Sequence, residues 1–422
     1  MVVTIGLAID LFLRILNWYQ RWNHDENNEQ ETELLLLNSN PEEASWKKRK
    51  IVSFFLCFSP YSNAIKILSL PKNQDGKNYE LNLACINGIR SLSLFWVILG
   101  HCYIFLLPIY DNLTIYQTWL QRFSFMVVPG GYYAVDSFLF LSGFMAYRTL
   151  SKMLDTAPTL NRFLVKIPII YLHRYLRLVP AYLALILLTI GIWPHLSIGP
   201  LYQQNSDKFC SENWWANLLF INNLYQPSHM CVPWSWYLAV DMQIFLISPF
   251  LVASFYWKPH LKLGYVFSFL LIFIQITTAV ILTFTNNLPS TPTPPLVKEA
   301  ILSKNYFDVF NILYITPWCR LGPYVIGILT ANLALHHSVY LKVVFNNFKI
   351  SIAIWSITFA LMTVLIFGQY GIYAGNYIAS TGTDATYNAV ARMCWAIALG
   401  WIVVACMFNN GGELIILSYN GQ

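Results

Sequence analysis

An arginine and a histidine stand eleven residues apart in the run Gly88-Ile89-Arg90 through Gly100-His101. At about 100° per residue, eleven steps make three turns plus roughly 20°, so both side chains share one helical face, about 16 Å apart along the axis. Imidazole is the side chain whose ordinary pKa lies nearest working pH, so a buried neutral His101 suits general-base chemistry. Arg90 on the same face suits a fixed cation at the mouth of a tunnel. The same spacing also fits a histidine satisfied by a neighbouring helix and an arginine reaching toward headgroups. In His173-Arg174-Tyr175-Leu176-Arg177 two guanidinium groups lie one turn apart. They could grip a diphosphate by bidentate hydrogen bonds, or simply anchor a helix end on its basic side.

Other polar residues interrupt apolar runs. Asp241 is a lone carboxylate a turn inside the run that opens at Ser235-Trp236. It needs a partner, for which Arg320 and Arg392 are candidates. Asp136 lies near the outer end of its run and reads as interfacial, while Ser142 and Gly143 permit close helix approach. His336 and His337 fall in an expected loop and read as solvated. There is no Gly-rich phosphate loop, no metal-type Cys/His spacing and no Gly-x-Ser-x-Gly elbow, so no metal is expected.

The elements that must position these residues are membrane spans. The 422 residues are 56% hydrophobic and only 11% charged, with 16% aromatics. Mean hydropathy is +0.49. A water-soluble domain carries about a quarter charged residues, so an ordinary cytosolic protein is excluded. The net charge of +6 is too diffuse to suggest nucleic acid. Spans of about 20 apolar residues are expected near 89–109, 131–150, 174–193, 236–257, 263–284, 312–335, 351–369 and 388–408. The segment 117–128 is too short to cross. Residues 1–22 contain Asp10 and Arg14 and read as an interfacial helix or a remnant span. The expectation is an all-α, polytopic transmembrane bundle of about eight core spans around a polar cavity. Residues 1–80 form a cytoplasmic or interfacial segment ahead of a core over 81–422.

Charge gives the orientation. With residues 1–80 cytoplasmic, the loops on that side carry Arg148, Lys152, Arg162, Lys166, Arg174, Arg177, Lys258, Lys262, Lys342 and Lys349; the outer side carries Arg122, Lys208, Lys298 and Lys304. Ten against four fits the positive-inside rule. The Asn112-Leu-Thr sequon then falls outside, where glycosylation occurs. Cys210 and Cys231, in one Trp-rich outer loop, are expected to form a disulfide that closes it, free thiols being the competing reading. Cys102, Cys319, Cys394 and Cys406 read as small buried hydrophobes.

From Phe58 to Gly412 the sequence resembles the membrane-bound acyltransferase 3 family, in its nose-resistant-to-fluoxetine-like branch. The resemblance rests on Phe58-Ser-Pro-Tyr-Ser-Asn63, Asn87-Gly-Ile-Arg90 to Gly100-His101, Val135-Asp136-Ser-Phe138 to Ser142-Gly143, His173-Arg174-Tyr-Leu-Arg177, Cys210-Ser-Glu-Asn-Trp214, Cys231-Val-Pro-Trp-Ser-Trp236 and Pro317-Trp318-Cys-Arg320. Leu139 stands where the family has Phe, and Asp241 where bacterial relatives have Glu. The resemblance implies His101 and Arg90 as the catalytic pair, Arg174 and Arg177 with Ser142 and Gly143 as donor-binding residues, and Asp136, Asp241 and Arg320 as structural polar groups. It implies acyl transfer from cytoplasmic acyl-CoA, a co-substrate, to a hydroxyl-bearing acceptor, with no tightly bound cofactor. Measured against relatives, an outer Cys-rich domain and the last helices are expected to be missing, so that either the sequence is a truncated fragment or protein partners supply those helices. The alternatives are a non-catalytic lipid or small-molecule transport component and a structural subunit of a larger membrane complex. The expected location is an endomembrane or the plasma membrane, with membrane lipids and acyl-CoA as contacts.

Overall fold

The structure, a computed structural model, describes residues 7–15, 55–68, 84–106, 112, 114–156, 159–196, 205–256, 262–294 and 304–408. The chain divides into two compact units, Met1–Tyr79 and Glu80–Gly421.

In the first unit a helical stretch over 7–15 meets α1 (Pro60–Leu68). Ser59 precedes Pro60 and its hydroxyl accepts from the Ser62 N–H at 3.3 Å, the usual chemistry of a helix start. The buried Asp10 carboxylate accepts from the Ser59 and Ser62 hydroxyls, each at 2.6 Å, and from Arg14 Nε at 3.1 Å. Arg14 also lies over the Tyr61 ring. The two charges that interrupt the first apolar run therefore bind the Ser-Pro-Tyr-Ser segment.

The second unit is built from α2 (Ala84–Leu106), α3 (Tyr133–Asp155), α4 (Leu160–Leu187), α5 (Asn205–Leu218), α6 (Trp236–Tyr256), α7 (Leu263–Asn286), α8 (Leu321–His336), α9 (Ser338–Asn346), α10 (Phe348–Phe367) and α11 (Thr381–Met407). No strand occurs among the described residues. Among the described residues seven helical segments are long and apolar enough to cross a bilayer; α8 and α9, bent by 85°, pass the same test only together, as a broken span or a re-entrant loop. The chain is thus an integral, multi-pass membrane protein.

At the centre, α3 and α8 cross with backbones nearly touching. A methyl group on Gly143 would overlap the Tyr324 carbonyl, and one on Gly327 the Phe140 carbonyl. Reciprocal glycines of this kind replace the hydrophobic drive that lipid removes, letting van der Waals contact hold the pair. By contrast α2 is packed along one stripe only. Leu92 and Phe95 on its other side are 70% and 68% exposed, as suits contact with lipid tails.

Several expected boundaries shift. The third span begins at Leu160 rather than near 174, because the basic residues after 160 stay helical, and it runs on to residue 195 through a π-turn. The sixth begins at Leu321 rather than 312, since Pro317 breaks the chain into a 3-10 turn first. Residues 114–132 form one short helix and two 3-10 turns. His336 and His337 mark the α8–α9 bend instead of a loop, each ring meeting a tyrosine hydroxyl, Tyr256 and Tyr265. Cys319 and Cys406 are buried, whereas Cys102 is exposed on α2.

The loop between Cys210 and Cys231 closes as expected. Cys210 and Cys231 are disulfide-bonded, with Cα atoms 4.2 Å apart. The buried Asn217 amide donates to the Cys231 carbonyl and to Tyr182 Oη, both at 2.7 Å. Val232, a β-branched residue, holds a left-handed φ of 52°, a strained conformation that the bridge and this network impose.

Candidate functional site

His101 sits five residues before the end of α2, half-buried beside Phe105, with ring centroids 5.0 Å apart. Its Nδ1 lies 2.8 Å from the Val97 carbonyl, one turn back on the same helix. A carbonyl oxygen can only accept, so in the neutral ring the proton is on Nδ1, and Nε2 meets no hydrogen-bond partner among the described residues. The polar group beside this nitrogen is thus the helix backbone and not Asp241. Arg90 shares the face as helix arithmetic requires and is exposed.

Asp241 instead belongs to a cluster on three helices. It accepts from Ser142 Oγ at 2.6 Å and forms an ion pair with Arg174. Arg174 also reaches Ser142 Oγ at 3.3 Å, and its guanidinium lies 4.0 Å over the Phe245 ring. The Ser142–Asp241–Arg174 group is therefore charge-neutral and hydrogen-bonded, the form in which ionised groups persist inside a bilayer. Arg174 is fourteen residues into α4, about 21 Å from its start, so the cluster lies deep in the bundle and not at its mouth.

The expected partners of Asp241 are engaged elsewhere. Arg320 pairs with Asp136 at 2.6 Å, both side chains fully buried. Asp136 is thus a core residue and not interfacial. Arg320 also donates from Nε to the Tyr314 carbonyl at 2.8 Å and lies over the Tyr314 ring. Arg392 donates to the carbonyls of Leu313 and Cys319. Arg174 and Arg177 do not act as a matched pair: Arg174 turns inward, and Arg177 is exposed and makes no ion pair among the described residues. Gly143 serves the α3–α8 crossing. Asn112 is exposed, its side chain accepting from the Thr114 N–H at 3.1 Å. No group of His, Cys, Asp or Glu among the described residues could hold a metal. The Asp241–Arg174 pairing escaped sequence reasoning, although Phe245 four residues after Asp241 was a signal: carboxylate and ring on one face make a seat for a guanidinium.

Known proteins bear on this arrangement. A family model described as an acyltransferase domain matches residues 83–422. The nose resistant to fluoxetine protein 6 of Caenorhabditis elegans is 29% identical over 99% of this chain and 49% of its own length. A Staphylococcus aureus (strain COL) protein provisionally named an O-acetyltransferase is 22% identical over 43% of this chain and 27% of its own. The chain thus spans about half the length of the first relative and less of the second. No solved structure matches it.

Proposed function

The chain belongs to the acyltransferase domain family, and on that premise we propose that it moves an acyl group, acetyl in the first instance, from acyl-CoA to a hydroxyl-bearing acceptor inside its helical bundle. The observation that carries this reading is the His101 tautomer. With Nδ1–H held by the Val97 carbonyl, Nε2 is free to take the acceptor's hydroxyl proton. The acceptor oxygen then attacks the thioester carbonyl, the C–S bond breaks, and the leaving thiolate recovers the proton from the imidazolium. Arg90 and Arg177, both exposed, are the cations available to donor phosphates. Arg174 acts as a positioning residue through Asp241 and Ser142. The name of the staphylococcal relative supports acetyl as the group.

We place the Arg90 end of the bundle in the cytoplasm, on the charge asymmetry of the loops, with acyl-CoA arriving there. Glycan on Asn112 supports this orientation, and a 151–173 region on the same side as Asn112 overturns it.

The test is turnover of labelled acetyl-CoA by the purified chain. His101→Gln should lower the rate by about 10²-fold or more, the scale of general-base catalysis, with acyl-CoA binding unchanged. Arg177→Ala should weaken donor binding instead. Wild-type turnover in His101→Gln would sink the mechanism. A second reading, a non-catalytic cavity for lipids or small molecules, is favoured by one observation: Arg174 is already neutralised by Asp241. Absence of acyl-CoA binding by the wild-type chain would select it.

A further inference from the structure

A small pocket, mostly apolar but edged by polar side chains, lies at the end of the bundle that carries the disulfide. It encloses only about 20 Å³, room for about one water, and is partly open to its surroundings, between Tyr132, Tyr314, Tyr387, Asn388 and Arg392, with Pro289 and Pro292 along one side. None of Arg90, His101, Ser142, Arg174 and Asp241 lines it.

The charges around this pocket do not balance. The two buried carboxylates of this end are both engaged, Asp136 by Arg320 at 2.6 Å and Asp384 by Lys304 at 3.1 Å. Arg392, two turns after Asp384 on α11, is 7% exposed and has no carboxylate partner among the described residues. Its Nη1 donates to the Leu313 carbonyl at 3.3 Å and the Cys319 carbonyl at 3.0 Å. Nε and Nη2 donate to nothing among the described residues, yet neither is among the sealed, unsatisfied atoms of the core. Both therefore border open space. Arg320 and Asp136 both act on Arg392 electrostatically, but Asp136 is paired with Arg320 and gives Arg392 no carboxylate of its own. One uncompensated positive charge thus remains in a low-dielectric region, where a lone ion is costly.

The Nε–Nη2 edge of a guanidinium presents two parallel N–H donors, matched to two oxygens of a carboxylate or phosphate. The Tyr132 hydroxyl, 3.1 Å from that of Tyr387, stands in the same wall. The Asn388 amide nitrogen is occupied by Thr283 and the Pro289 carbonyl, which leaves its oxygen as an acceptor. We propose that this pocket takes the oxyanion of a small molecule from its open side, a carboxylate or phosphate group seated on the free edge of Arg392. The group has two sources, a dissolved organic acid or phosphate and the headgroup of an anionic lipid. The proposal stands whether or not the chain transfers acyl groups.

The experiment uses the 422-residue chain in a non-ionic detergent and follows its thermal unfolding. Acetate and inorganic phosphate are titrated against chloride at equal ionic strength. In a second arm, micelles carry phosphatidic acid or phosphatidylcholine. The wild type should show saturable stabilisation by a dissolved anion or by phosphatidic acid, and the responding arm identifies the source. Arg392→Gln should weaken that response at least tenfold, and Arg392→Lys should retain part of it. No response to any probe, or an equal response in Arg392→Gln, overturns the proposal. Should Arg392→Gln fail to fold, modification of Arg392 by phenylglyoxal in the wild type decides, read by peptide mass. Protection by the responding anion supports the site, and an unchanged rate overturns it.

Discussion

At the scale of single residues, the interior charges differ by what neutralises them. Asp241 gives Arg174 both a counter-ion and, through Ser142, a second oxygen. Asp241→Asn keeps the shape and removes the charge, leaving a guanidinium in the bundle uncompensated. Breaking a buried pair this way costs about 3–5 kcal/mol, trimmed here because both groups keep some exposure. A lowered unfolding midpoint in detergent should show it, with a smaller drop for Ser142→Ala. A midpoint equal to wild type would mean that the pair is idle. Asp10 gives a pH-dependent case in the first unit. Burial alone would raise its pKa, but hydrogen bonds from Ser59, Ser62 and Arg14, with the Arg14 charge, outweigh burial and hold it below the ordinary aspartate value. The folded state therefore binds fewer protons than the unfolded one near that value. Its contribution is complete above about pH 3.9 and disappears as pH falls through the lowered folded value. Pepsin cleavage within 7–15 should rise only below about pH 3.9, and Asp10→Asn should abolish that dependence by cleaving readily throughout. Protection that is flat with pH in the wild type contradicts the linkage.

At the scale of elements, the α3–α8 crossing sets how closely Ser142 approaches its partners. Gly143 and Gly327 each face the other helix's backbone, where no side chain can rotate away. Gly143→Ala should push the helices apart and destabilise by about 1–3 kcal/mol, the usual penalty of overpacking. Gly88→Ala is the matched control, since a methyl group there meets nothing within 4 Å. Equal midpoints for the two variants would refute the crossing argument. The α2 helix is the counterpart. Its thin packing leaves the His101 face at the margin of the described bundle, so the backbone hydrogen bond to Val97, rather than a neighbouring helix, orients the imidazole.

For the whole molecule, the end with the disulfide is tied by a covalent bridge and by buried asparagine hydrogen bonds. The Cys210–Cys231 bridge spans 21 residues and closes a loop tied to α4 by Tyr182 and to the 310–320 region by Asn223. Cys210→Ser should cost about 3 kcal/mol on the chain-entropy scale and expose the loop to protease. Unchanged protease resistance would show that the asparagine network alone suffices. The same end holds the Arg392 pocket, whereas Arg90 marks the other end. The bundle therefore offers two polar regions at different depths.

That the chain crosses many times, and the approximate stretches that do so, follow from hydrophobic length, because a bilayer demands about 20 apolar residues per crossing wherever they occur. The shared face of Arg90 and His101 follows from helix periodicity alone, and the cysteine pairing from a single outer loop. These are local properties, and a linear chain carries them. The partners of the interior charges are not local. Asp241 with Arg174, and Asp136 with Arg320, are 67 and 184 residues apart. Sequence reasoning offered Arg320 or Arg392 to Asp241 because every intramembrane cation is an equally good counter-ion until the helices are packed. Only the tertiary structure decides which faces meet, and by satisfying Asp136 and Asp241 elsewhere it leaves Arg392 as the buried cation without a counter-charge.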